Sequence, residues 1–159
     1  MSFEEVQGVP AKGDRDQLHN LANNCVCLNL RKAARIITRR YDEAMAGTGL
    51  RSTQAPILMT LRLDGPMTMS ELAGAMAMDN STLSRNFKLL EVQGLVHRTP
   101  RDGRTVDVSV TDAGEQALDR ALAGWVRIQE ETVEAMGESK WGAVLDALGL
   151  LEADGEAGA

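Results

Sequence analysis

The spacing of apolar side chains along the chain is helical, then alternating, then helical again. From about Asp16 to Met45, Leu30, Ala33, Ile37, Tyr41 and Ala44 recur at steps of three and four, with Arg31, Arg35 and Arg39 on a separate stripe. This pattern predicts one amphipathic helix, stopped by Gly47 and Gly49. A second helix is predicted from about Thr53 to Leu63, ended by Asp64-Gly65-Pro66. Thr68-Met69-Ser70-Glu71 then reads as a capping box, in which hydroxyl and carboxylate each satisfy a free backbone N–H. The short helix it opens presents Met69, Leu72, Ala73 and Met76 on one face. Asp79 supplies another N-cap, and the helix after it ends at Gly94. Two short helices joined by a tight turn at Ala77-Met78 make a helix-turn-helix.

After Gly94 the period drops to two. Leu95 to Thr99 reads as one strand, and Val106, Val108 and Val110, alternating with Asp107 and Ser109, as another. Between them Pro100-Arg101-Asp102-Gly103-Arg104 carries the Asp-Gly signal of a hairpin turn. Thr111 caps a long helix through about Glu134, and a last helix spans roughly Ser139 to Leu151. The expected fold is mainly α with a small β-hairpin wing, a winged helix-turn-helix. Residues 50–111 would form the DNA-binding domain, with dimerisation helices at 16–49 and 112–152. Residues 1–15 and 153–159 are expected to be flexible.

Composition narrows the function classes. Of 159 residues, 43% are hydrophobic and only 3% aromatic, so the core rests on Leu, Val, Ile, Ala and eight Met. No apolar run of about 18 residues exists to span a membrane, and the polar start has no signal-peptide character, so a cytoplasmic location is expected. Two histidines and scattered carboxylates offer neither a nucleophile–base pair nor a metal constellation, so an enzyme is excluded and no cofactor or metal is expected. The net charge of −6 runs against nucleic-acid binding. Its distribution weakens that objection: residues 31–104 hold twelve Lys or Arg against seven Asp or Glu, whereas residues 115–159 hold three against ten. Local potential governs phosphate binding, because surface charges are screened beyond about 10 Å.

The candidate chemistry lies on the helix after Asp79 and on the hairpin tip. At 100° per residue, Leu83, Phe87 and Leu90 share the core side. Ser81, Arg85 and Lys88 share the opposite side, flanked by Thr82 and Ser84. Small hydroxyl residues ahead of a mid-helix arginine suit entry into a major groove, with Arg85 bidentate to a guanine edge and Lys88 on phosphate. Leu89 and Val92 also lie toward the outside, and DNA reading does not explain them. At the tip, Arg101 and Arg104 suit a narrow, electronegative minor groove, with Asp102 holding a neighbouring arginine through a carboxylate–guanidinium pair.

These stretches resemble the MarR family of winged-helix regulators from about residue 30 to 125. The resemblance rests on Leu50-Arg51-Ser52-Thr53-Gln54, Met69-Ser70-Glu71-Leu72-Ala73, Ser81-Thr82-Leu83-Ser84-Arg85 with Leu90-Glu91 and Gly94-Leu95-Val96, and Asp102-Gly103-Arg104 leading to Val110-Thr111-Asp112-Ala113-Gly114. It implies a two-fold dimer through the terminal helices, palindromic duplex DNA as partner, and a regulator acting as a repressor. It assigns DNA contacts to Ser81, Thr82, Ser84, Arg85, Lys88 and Arg104, with Asp102 as organiser. Apolar Leu118, Leu122 and Val126, and Val144, Leu145, Leu148 and Leu151, are expected to need a partner chain. The resemblance also implies a small anionic or aromatic effector, for which Tyr41, Met45, Met59, Arg62 and Trp125 are the candidates. A peroxide-sensing branch of the family carries an early reactive cysteine activated by tyrosines. Here Cys25 and Cys27 are the candidates, but Tyr41 is the one tyrosine, and within a helix the two thiols would point about 200° apart. Two alternatives to effector control remain: thiol redox sensing, and a winged helix that binds protein without binding DNA.

Overall fold

A computed structural model describes residues 14–157, and side chains through residue 153; the expectations for residues 1–13 and for the end of the tail lie outside the described residues. Residues up to Arg40 and residues from Tyr41 onward form two separate compact units.

In the first unit Asp14 caps α1 (Arg15–Asn24) by accepting from the Gln17 N–H. The single helix expected from Asp16 to Met45 is two helices. Cys25 is extended, with φ −69° and ψ 112°, and α2 (Val26–Ala44) starts after it. Its sulfur accepts from the Leu28 N–H at 3.4 Å, and Asn29 donates its side-chain amide to the Asn23 and Cys25 carbonyls, so the break is bonded on both sides. The apolar stripe gave no warning because it begins only beyond this point.

The last turn of α2 enters the second unit, whose core gathers Met45, Leu50, Ile57, Leu58, Leu61, Leu72, Leu83, Phe87, Leu90, Val96, Val108 and Leu118. A turn with Gln54 accepting from the Arg51 N–H leads into α3 (Ala55–Asp64), where Pro56 sits in the first turn, a position that needs no N–H donor. Thr68 and Glu71 form the full capping box of α4 (Met69–Ala75), and Asp79 caps α5 (Asn80–Val92). The turn between them holds Ala77 at φ 48°, a left-handed conformation that residues with a Cβ adopt at a cost.

The wing is larger than the expected hairpin. Strand β1 (Met67–Thr68) pairs with β3 (Val106–Val110), which also pairs with β2 (Val96–Pro100), giving an antiparallel sheet of order β1-β3-β2. Two residues are too few to show a period, so β1 left no mark in the pattern.

Thr111 joins wing to helix α6 (Asp112–Met136): its hydroxyl accepts from the Gly114 N–H and donates to the Gly94 carbonyl at 2.7 Å. A Cβ at Gly114 would lie 2.1 Å from the Leu95 carbonyl oxygen, so glycine there is a packing requirement. Leu118 faces this core and is fully buried, which removes it from the residues expected to need a partner chain. After Gly137, helix α7 (Glu138–Ala157) continues past the predicted end at Leu151. No helix among the described residues is long and apolar enough to cross a membrane.

Candidate nucleic-acid interface

The face of α5 opposite Leu83, Phe87 and Leu90 is exposed at Ser81, Ser84, Arg85 and Lys88 and half-buried at Thr82. Its N-terminus is tightly organised. Asp79 accepts from the Thr82 N–H at 2.8 Å and from the Ser81 hydroxyl. The hydrogen bond from Ser81, followed by those from the Thr82 side chain and N–H, holds the Asp79 carboxyl well below the usual carboxylate range. Arg85 donates from Nη2 to the Thr82 hydroxyl at 3.0 Å, which lays the guanidinium back along the helix surface. Leu89 and Val92 lie on this same face and remain exposed, as their outward positions in the sequence pattern predict.

The wing tip divides the work of its charged residues differently from the sequence expectation. The carboxylate–guanidinium pair expected of Asp102 belongs instead to Asp107. Arg101 Nε donates to Asp107 Oδ2 at 2.8 Å, and Nη2 lies 2.8 Å from Oδ1, so both arms of the fork are engaged at the wing base. The same nitrogen sits 4.0 Å from Glu71 of the α4 cap. Asp102 works on backbone instead, accepting from the N–H groups of Arg104 at 3.0 Å and Thr105 at 2.8 Å. Those bonds, Arg104 first, lower its carboxyl pKa. They close the loop as an Asx turn does. Arg104 projects from the loop exposed, and no described residue bonds its guanidinium. Asp107 and Glu71 were missed as wing anchors. The pattern put Asp107 on a strand, but only the register, Thr99 opposite Asp107, brings it beneath Arg101.

Residues 50–106 match the sequence profile of the MarR family. The chain is 30% identical over 103 residues to the transcriptional regulator YwoH of Bacillus subtilis, covering 64% of this chain and 75% of that one. It superposes on the M. tuberculosis transcriptional regulator MosR in complex with DNA with a TM-score of 0.76 and 32% identity, over 84% of this chain and 98% of that one. The chain belongs to the MarR family of transcriptional regulators. As a MarR-type regulator it is not an enzyme. The fold alone is shared with the repressor CouR bound to p-coumaroyl-CoA, at 21% identity, a TM-score of 0.74, and 83% and 94% coverage of this chain and that one.

The effector candidates are buried or half-buried. Tyr41 is buried, donates its hydroxyl to Gln129 and meets Trp125 edge-on, with ring centroids 4.8 Å apart. Met45 is fully buried, and Met59 and Trp125 pack against the same core. Arg62 bridges α3 to α6: Nε is bonded to Glu115, Nη1 to Asp119 at 2.9 Å, and Nη2 to the Glu115 carbonyl at 2.9 Å. An anion seeking Arg62 meets two carboxylates already there. Cys25 and Cys27 are both exposed.

Proposed function

We propose that this MarR-family chain is a sequence-specific regulator that binds a palindromic duplex as a homodimer and acts as a repressor. Ser81, Thr82, Ser84, Arg85 and Lys88 enter the major groove, and Arg104 enters the minor groove from a wing that Arg101 and Asp102 stiffen. The observation that carries this reading is the exposed α5 face. The Ser81 hydroxyl and the Thr82 N–H are held by Asp79, and Arg85 donates to the Thr82 hydroxyl, a bond that a guanine edge can replace. Support for the dimer comes from apolar side chains left uncovered on the terminal helices, Leu28, Leu30 and Ile36 in one unit and Val126, Leu145 and Leu151 in the other. Repression is the simpler direction, because a dimer lying across a duplex excludes other proteins from it. Selecting bound duplexes from a random pool tests the proposal. The affinity of the selected site should fall steeply with salt, and Arg85→Ala should weaken it by roughly 1–3 kcal/mol while relaxing the choice of one base. Failure to retain any duplex at low salt contradicts it.

Modulation by a small anionic or aromatic effector belongs to the same proposal. CouR, of the same fold, is bound to p-coumaroyl-CoA. For this chain Tyr41, Met45, Met59, Arg62 and Trp125 are the positions to probe, with opening of the Arg62 ion pairs as the required rearrangement.

A second reading has its own observation. Cys25 lies outside helical geometry, and both it and Cys27 are exposed, so the opposed directions expected within one helix do not constrain Cys25. Thiol redox sensing through Cys25 or Cys27 then becomes chemically open: a hydroperoxide withdraws two electrons from the thiol pair, leaving an S–S bond, an alcohol and water. Peroxide should release the wild-type protein from its selected duplex but not the Cys25→Ser or Cys27→Ser variant. Equal release of all three would reject this reading.

A further inference from the structure

The face of α5 that carries Arg85 and Lys88 is not wholly polar. Leu89 is 55% exposed, although three other apolar residues of the same helix, Leu83, Phe87 and Leu90, are fully buried. On a helical wheel Leu89 lies about 40° from Arg85, and Lys88 about 60° away on the other side. The one carboxylate within α5, Glu91, lies well round the helix from Leu89 and is bonded to Arg98 at 3.1 Å. An exposed leucine beside two cations, with the helix's acid neutralised elsewhere, does not suit an apolar protein partner. It suits a surface that is anionic at its edges and apolar at one point. A major groove has that character where a thymine C5-methyl projects between phosphate rows.

We propose that Leu89 is a specificity-determining residue that reads a thymine methyl group in the operator; the inference rests on the DNA-binding reading above. Leu89 lies four residues beyond Arg85, about 6 Å along the helix axis. The methyl it touches therefore falls within about two base pairs of the base read by Arg85. The contact is apolar and free of charge, so it adds sequence preference without adding to the salt dependence. Because Leu89 is 55% exposed and outside the buried core, replacing it should leave the fold intact.

The test uses the full chain and a duplex selected from a random pool, resynthesised with each thymine in turn replaced by deoxyuridine, which removes only the methyl. For wild type, one position per half-site should lose affinity by about fourfold, the effect of one buried methyl-sized group. For Leu89→Ala that same substitution should cost nothing, while substitutions elsewhere keep their wild-type effects. If deoxyuridine penalties are the same in wild type and Leu89→Ala, or vanish in Val92→Ala instead, the inference is overturned while the DNA reading stands. If no duplex is selected at all, the DNA reading fails and the inference fails with it. Circular dichroism of Leu89→Ala matching wild type secures the comparison.

Discussion

At the residue scale, two arginines three positions apart on one tip have different chemistry. Both guanidinium arms of Arg101 are held by Asp107, whose side chain is only 14% exposed. The pair raises the Arg101 pKa through the hydrogen bond and charge of Asp107, so it stays charged at any working pH. A guanidinium bound this way has Nε and Nη2 committed to a half-buried carboxylate, and moving them to phosphate would leave that acceptor unsatisfied. Arg104 has no such tie among the described residues, and Asp102 presents it by fixing the backbone beneath. Arg104→Ala should therefore weaken duplex binding and reduce the slope of log affinity against log salt by about one, with an unchanged melting temperature. Arg101→Ala should leave that slope nearly unchanged and lower the melting temperature by about 2–4 °C. Melting curves beside binding isotherms at several salt concentrations separate the two. The reverse pattern would exchange their roles.

At the element scale, the helix-turn-helix is held by its caps. Thr68 with Glu71 starts α4, Asp79 starts α5, and Asp102 closes the wing loop. All three carboxyls are held below their ordinary values, Glu71 first by the Thr68 N–H, Asp79 first by the Ser81 hydroxyl, and Asp102 first by the Arg104 N–H. A carboxyl whose folded pKa is depressed contributes stability that is complete above its unfolded pKa and is lost as pH falls from there toward the folded value. The loss should begin below about pH 5, near the unfolded carboxylate pKa values, and deepen with acid. Asp79→Asn keeps a capping acceptor but no titrating group, so its urea midpoint should decline less than that of wild type between pH 5 and pH 3. Parallel declines would mean that other carboxyls carry the acid limb. The helix caps, unlike the backbone role of Asp102, were legible because each is a local pattern of a few residues: Thr68 three before Glu71, Asp79 before Thr82, and Thr111 before Gly114. What was not legible depends on distance or brevity. The Arg62 bridge to Glu115 and Asp119 spans more than fifty residues. Strand β1 is two residues long, and the break at Cys25 carries neither glycine nor proline. The α5 face was readable in full because one helix holds all of it, whereas the wing needed a register that sequence spacing alone does not provide.

At the scale of the whole molecule, charge and apolar surface are sorted. The basic excess falls between residues 31 and 104 and the acidic excess beyond 115, so net charge says little about the potential at α5. The same C-terminal region leaves Val144, Leu145, Leu150 and Leu151 exposed along α7. Four large apolar side chains exposed around one terminal helix are more apolar surface than a single helix usually leaves in water. A second copy covers it in the proposed dimer and sets two α5 helices about 34 Å apart, one turn of duplex. Binding by the pair is then tighter than by one subunit, because the second half-site is engaged at the high effective concentration that dimerisation creates. The double variant Leu145→Glu with Leu151→Glu places charge in that interface without touching the winged core. Sedimentation should report a dimer for wild type and a monomer for the variant, helical content should be kept, and affinity for the palindrome should fall by about 100-fold or more. A single half-site should bind both proteins with similar weak affinity, since α5 and the wing are unaltered. If the variant stays dimeric, the interface lies elsewhere; if it becomes monomeric and keeps full affinity for the palindrome, pairing of subunits has no part in reading the operator.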